Sequence, residues 1–183
     1  MTMDKTNRFL NLDVTMILLI AVLVFDLVVI IMSFNNYYFS FVLSTNNKLP
    51  VLLTLVAFYL FAFAQMIDRV FIITVTITAF LFLGLISVTN NSYHTIGSST
   101  GNVKVLIGYR NATLGETNHF YNFYLYTSIP GLVKKVKEHH SIQTRGVTTD
   151  DLEVLGVDDA EWIDDEKVIF HSPYAENTQV ELK

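Results

Sequence analysis

Three long apolar stretches fill the first half of this chain, at residues 14–34, 50–67 and 70–88, and Asp26 is the one charged residue inside them. Each comes close to the ~20 residues that a helix needs to cross about 30 Å of hydrocarbon. The expectation is therefore three transmembrane helices. Residues 50–88 as a single helix would reach about 58 Å, far beyond a bilayer, so a tight hairpin at Asp68-Arg69 is expected between the second and third spans.

The apolar content of 51% conceals two unlike halves. Thirteen of the seventeen acidic side chains follow Ser92, running from Glu116 to Glu181. Charge thus sits where a solvated domain requires it. The predicted fold class is a membrane α + β protein, three transmembrane helices followed by a small antiparallel β-meander domain. In residues, this is a transmembrane region over 1–92, a linker over 93–102 and an extracytoplasmic β domain over 103–183. About 80 residues suffice for one modest core. With no cysteine in the chain, disulfides and thiolate metal sites are excluded.

Lys5 and Arg8 precede the first stretch as a signal peptide's n-region would. That stretch exceeds the usual 7–15 apolar residues, however, and Asn35, Asn36 and Tyr37 follow it where a small-residue cleavage site would stand. It reads as a retained anchor. Lys5, Arg8 and Arg69 on one side, against Lys48 and the more distant Lys104 on the other, favour a cytoplasmic N-terminus and an external C-terminal domain. The aromatic group Phe34, Tyr37, Tyr38, Phe39 and Phe41, within the segment before the second span, reads as an interfacial belt.

Asp26 carries the sharpest signal in the membrane half. A carboxylate at that depth costs roughly 2.5–3.5 kcal/mol on insertion scales, so it should face protein or water. Thr15 and Ser33 lie within about 20° of it on a helical wheel, which makes one polar stripe along the first helix. Thr54, Tyr59 and Thr78 could meet it at similar depth. These six residues form the candidate intramembrane polar site, serving interhelical hydrogen bonding, docking of a partner's basic residue, or a proton- or ion-linked path.

In the second half, Val103, Val105, Ile107 and Tyr109 alternate as in a half-buried strand, and His119–Thr127 is dense in Phe and Tyr. Asn111–Thr117, with Gly115, reads as their hairpin connection. Leu132–Glu138 fits either a strand or a helical turn. Leu152–Leu155, Ala160–Ile163, Val168–His171 and Gln179–Leu182 read as short successive strands, with Asp164-Asp165-Glu166-Lys167 as a turn.

The run Ala160-Glu161-Trp162-Ile163-Asp164-Asp165-Glu166-Lys167-Val168-Ile169-Phe170 resembles the closing hairpin of small membrane-anchored Firmicute envelope proteins of unknown function. In that family a Trp strand, an acidic turn and a Val/Ile strand recur near the C-terminus. The likeness covers about a dozen residues, and the three-helix half departs from the family's single anchor. It implies an external β domain at a bacterial membrane and transfers no catalytic residue.

No nucleophile–base motif, Walker loop, dinucleotide fingerprint or zincin helix is present, so no enzyme activity is expected. The nine acids from Asp150 to Glu166 lack the EF-hand alternation and its central glycine, and read as a solvated edge. Lys134, Lys135, Lys137 and Arg145 form a basic counterpart, to pair with that edge or approach anionic headgroups. His139 and His140, being adjacent, point apart, and with His94, His119 and His171 isolated no metal or other cofactor is expected. The expected partners are the lipid bilayer and a membrane or envelope protein, or a second copy of the chain, and no nucleic acid. The function expected is that of a non-enzymatic interaction, accessory or immunity protein in a bacterial cell membrane. The alternative is a subunit of a small oligomeric transporter or channel using Asp26.

Overall fold

The computed structural model describes residues 5–65, 69–88, 90–114, 116–145 and 150–182. They form two compact units: a helical one, built from residues 1–35 and 41–89, and a β unit built from Asn36–Ser40 together with Asn90–Lys183.

The helical unit contains α1 (Lys5–Phe34), α2 (Ser40–Ser44, which begins in the β unit), α3 (Lys48–Gln65) and α4 (Arg69–Val88). Helix α3 packs against both α1 and α4. Its fully buried residues are Ala57 and Ala62, whose small side chains let neighbouring backbones come close. The large apolar side chains instead point outward, with Phe63 88% and Phe80 67% exposed. A contiguous surface of that kind suits hydrocarbon, not water.

Val14–Phe34 and Lys48–Gln65 are long and apolar enough to cross a membrane. The expected third span, 70–88, is helical within α4, but its described apolar run, Val70–Gly84, covers only about 22 Å. Among the described residues two helices, not three, are long and apolar enough for a span. The second begins earlier than expected, at Lys48, because Pro50 is tolerated in the first turn, where its missing N–H costs nothing. Asp68 of the expected hairpin, with residues 66 and 67, lies outside the described residues.

The β unit carries a five-stranded antiparallel sheet in the order β1-β5-β4-β3-β2. Its strands are β1 (Tyr37–Phe39), β2 (Ser92–Gly97), β3 (Lys104–Leu114), β4 (Glu116–Tyr126) and β5 (Leu132–Thr144). Strands β2 to β5 form an antiparallel meander, and the alternating run Val103–Tyr109 falls largely in β3. Leu132–Glu138 resolves as strand, and Gly115 of the expected connection lies outside the described residues.

Two expectations are corrected, and a third segment gains a conformation. Within the expected interfacial belt, Tyr37, Tyr38 and Phe39 form a strand that pairs with Lys134, Val133 and Leu132. Asn36, in the left-handed region at φ 61°, turns the chain out of α1, and the bonds Lys135 N–H to Asn36 O and Ser40 N–H to Gly131 O (both 2.8 Å) extend the ladder. The linker over 93–102 is mostly strand β2, whose six residues from Ser92 to Gly97 pair with Tyr109 to Lys104. Its Ser/Thr/Gly composition reflects an edge position, where only Tyr93 and Ile96 turn inward. Finally, Leu152–Leu155 belongs to a helix, α5 (Asp151–Leu155). Asp150 caps it by accepting the Leu152 N–H, and Gly156 closes it at φ 79° with its N–H on the Glu153 and Leu152 carbonyls.

A second antiparallel sheet, ordered β6-β7-β8, comprises Glu161–Ile163, Lys167–Phe170 and Thr178–Glu181. Asp164 and Asp165, at φ 48° and 54°, make the expected β6–β7 turn in the primed geometry that hairpin twist favours. One core joins the elements. Val105, Ile107, Tyr121, Phe123 and Ile142 of the large sheet meet Val154 and Leu155 of α5 and Val168, Phe170 and Val180 of the small sheet. Phe123 stacks on Phe170 with centroids 5.4 Å apart, and Trp162 packs at the margin.

Candidate functional site

Two polar constellations stand out, one in each unit. In the helical unit, the half-buried positions of α1 from Thr15 onward are 15, 19, 22, 25, 26, 29, 32 and 33, a helical stripe that includes Thr15, Asp26 and Ser33. The Thr54 hydroxyl of α3 donates to Asp26 Oδ2. Asp26 Oδ1 is shielded from solvent and accepts no hydrogen bond among the described residues.

The other members of the expected set bond elsewhere. Ser33 donates to the Ile30 carbonyl of its own helix at 2.8 Å, and Thr78 likewise to Thr74 O at 3.0 Å. Tyr59 pairs with Thr76, a residue outside that set. Thr74, Thr76 and Thr78 all bond back to carbonyls four residues earlier, so their spacing alone gave no sign of which one would reach α3.

The second constellation was not foreseen. His119 of β4 is 1% exposed, and its Nδ1 lies 2.5 Å from Asp151 Oδ1 while its Nε2 lies 3.0 Å from the Thr144 hydroxyl of β5. Asn111 of β3 donates through Nδ2 to both Asp151 oxygens at 3.3 Å, and the Tyr121 hydroxyl donates to the Asp151 carbonyl at 2.6 Å. Three adjacent strands thereby hold the first residue of α5. Burial pushes the Tyr121 phenol far above its ordinary range, and the Asp151 and Asp150 carboxylates push it further.

Carboxylate, imidazole and hydroxyl stand here in the order used by hydrolytic triads. Thr144, however, is itself only 4% exposed and a β-branched residue inside a paired strand, so its hydroxyl presents no face to a substrate. The chemistry it suits is structural: a satisfied polar lock in an apolar core.

The remaining candidates are dispersed. His140 Nε2 meets the Thr178 hydroxyl at 2.6 Å, and the His139 side chain lies outside the described residues. Arg145 pairs with Glu116, not with the 150–166 acidic edge. Asp165 accepts the Thr100 hydroxyl at 2.7 Å, and that bond, with those from Ser98 and Asn102, holds its carboxyl below the usual range. Burial, with Tyr93 and Tyr38 close by, raises the Tyr124 phenol strongly. Among the described residues no three His, Asp or Glu side chains converge as a metal ion would require. No protein family, curated protein or solved structure matches the chain.

Proposed function

We propose that this chain is a multi-pass protein of a bacterial cell membrane that acts by binding a membrane or envelope protein. Its N-terminus would be cytoplasmic, with three spans and the β unit outside. The observation that carries the reading is β1. Residues 37–39 lie between α1 and α3, yet pair with residues 132–134 of the β unit. If α1 and α3 alone crossed the bilayer, the segment between them and the chain after α3 would lie on opposite sides. A shared sheet needs them on the same side, so in this reading α4 crosses back. Its twenty residues, at 1.5 Å each, reach about 30 Å.

The closed Asp151–His119–Thr144 lock is read as structural and enters neither functional reading. Asp26 Oδ1 favours a helix partner that brings a hydrogen-bond donor, and equally motivates the second reading, a subunit of a small oligomeric channel or transporter. Because the chain has no cysteine, single cysteines at Asn46 and Glu176 can be labelled with a membrane-impermeant maleimide on intact spheroplasts. Labelling of both supports the three-span topology, and labelling of only one sinks it. A reporter fused after Lys183 gives the side directly: activity of a cytoplasmic reporter alone would place the β unit inside. Co-purification in mild detergent separates the functional readings, a discrete partner supporting the first and a homo-oligomer with a water-filled interior the second.

A further inference from the structure

We infer that Lys134 and Lys135 form a docking site for anionic phospholipid headgroups, an inference that rests on the membrane reading above. The first support is register. Lys134 pairs on one side with Tyr37 and on the other with Leu125, and the Lys135 N–H bonds to Asn36 O at 2.8 Å. Asn36 follows the last residue of α1, Phe34, by two positions, and a segment joining two spans has to lie at the membrane surface. The two lysines are therefore stitched by backbone bonds to chain that sits at headgroup level. Tyr37 and Tyr38 on that strand are of the amphipathic aromatic type enriched at this depth.

The second support is charge. From Leu27 to Lys137 the sequence has two acids, Asp68 and Glu116; Glu138 follows four residues along β5 from Lys134, about 13 Å away. Asp68 lies between α3 and α4, on the opposite membrane side in the proposed topology. Glu116 lies nine residues along β4 from Leu125, about 30 Å away, and is paired with Arg145. Asp165, near the β2–β3 turn, is engaged by Thr100. Among the described residues the ion pairs are His119–Asp151, Arg145–Glu116 and His171–Glu161, and neither lysine is in them.

The third support is reach. Both lysines are half-buried, which fits alkyl stems lying on apolar surface with the ammonium groups extended toward water. Being consecutive on a strand, they project to opposite faces and can engage separate phosphates. Lysine is suited to this task as a compact charge, since a mobile headgroup asks for no fixed fork geometry. A cation near an anionic surface favours it by roughly five-fold in occupancy at moderate salt.

The full chain is reconstituted in nanodiscs of equal parts phosphatidylglycerol and phosphatidylcholine, and the lipids it retains are counted by native mass spectrometry. The wild-type chain should retain phosphatidylglycerol over phosphatidylcholine by about five-fold or more, and 0.5 M salt should erase the preference. K134Q/K135Q should bring the ratio close to one, while R145Q, at the far end of the sheet, should leave it unchanged. Incorporation with a ratio near one for wild type, or an unaltered ratio in K134Q/K135Q, overturns the lipid site and leaves the membrane reading standing. An equal loss in R145Q also overturns it, since the effect would then be net charge. A chain that stays soluble without lipid overturns both.

Discussion

Replacing His119 by Phe tests whether the buried lock holds the β unit together. Phe fits a strand position and roughly the same volume, so the change removes hydrogen bonding with little change in packing. It strands the Asp151 carboxylate, 12% exposed, and the Thr144 hydroxyl, which His119 contacts at 2.5 and 3.0 Å. Breaking one side of a buried pair costs about 3–5 kcal/mol. Asn111 still reaches Asp151, so the lower end, about 3 kcal/mol, is expected. A unit of this size has roughly 5–15 kcal/mol of stability in total, so the loss is a large share of it. Trp162 is the only tryptophan and packs against the core, so its fluorescence reports this unit in the full chain in mild detergent. With a urea slope of about 1 kcal/mol per molar, the midpoint should fall by about 2–3 M. His119→Phe combined with Asp151→Leu should recover at least half of the loss, because both partners are then apolar. A midpoint shift under about 1 M, or a double variant whose cost is the sum of the singles, would refute the lock.

Gly156→Ala should unfold the β unit or cost more than about 3 kcal/mol, since a Cβ there would lie 2.1 Å from the His171 carbonyl oxygen at a backbone φ of 79°; the same urea titration checks it. Tyr121 and Tyr124 keep their protons when folded, whereas unfolded phenols ionise near pH 10, so stability is complete below about pH 10 and falls as pH rises above it. Urea midpoints at pH 8 and 10.5 should show this decline, and Tyr124→Phe should make it shallower. Asp26→Asn should be tolerated in helix assembly while Asp26→Leu loosens it, as read by partner recovery or oligomer size in detergent, if the bond to Thr54 is what matters. Loss of partner recovery in both variants would instead point to the charge, and no effect in either would make the residue incidental.

What could be read from the sequence, and what could not, divides along the range of the interactions. Hydropathy located α1, α3 and α4, because an apolar run of helical length is written into each segment by itself. Alternation located β3 and aromatic density located β4, where Tyr121 and Phe123 share the buried face at period-two spacing. By that parity His119 also lies on the buried face, so the sequence did hold the sign that this histidine is a core residue. Its partner Asp151, thirty-two positions away, left no such mark. Helix α5 was signalled locally, by Asp150 as a cap, Glu153 three residues on and Gly156 at the close; a four-residue apolar run hid a capping pattern. Strand β1 was the hardest. Tyr37-Tyr38-Phe39 suits a strand as well as a membrane interface, and the residues that pair with it, 132–134, come nearly a hundred positions later. The same pairing is what argues for a third span, so the feature least legible in the sequence has the largest consequence for topology. Asp26 shows the converse. Its inward face and its bond to Thr54 follow from helical spacing, yet its second oxygen finds no donor among the described residues. A carboxylate oxygen shielded from solvent is costly to leave unmatched, and helical spacing, which sets the face of Asp26, does not name a donor for it.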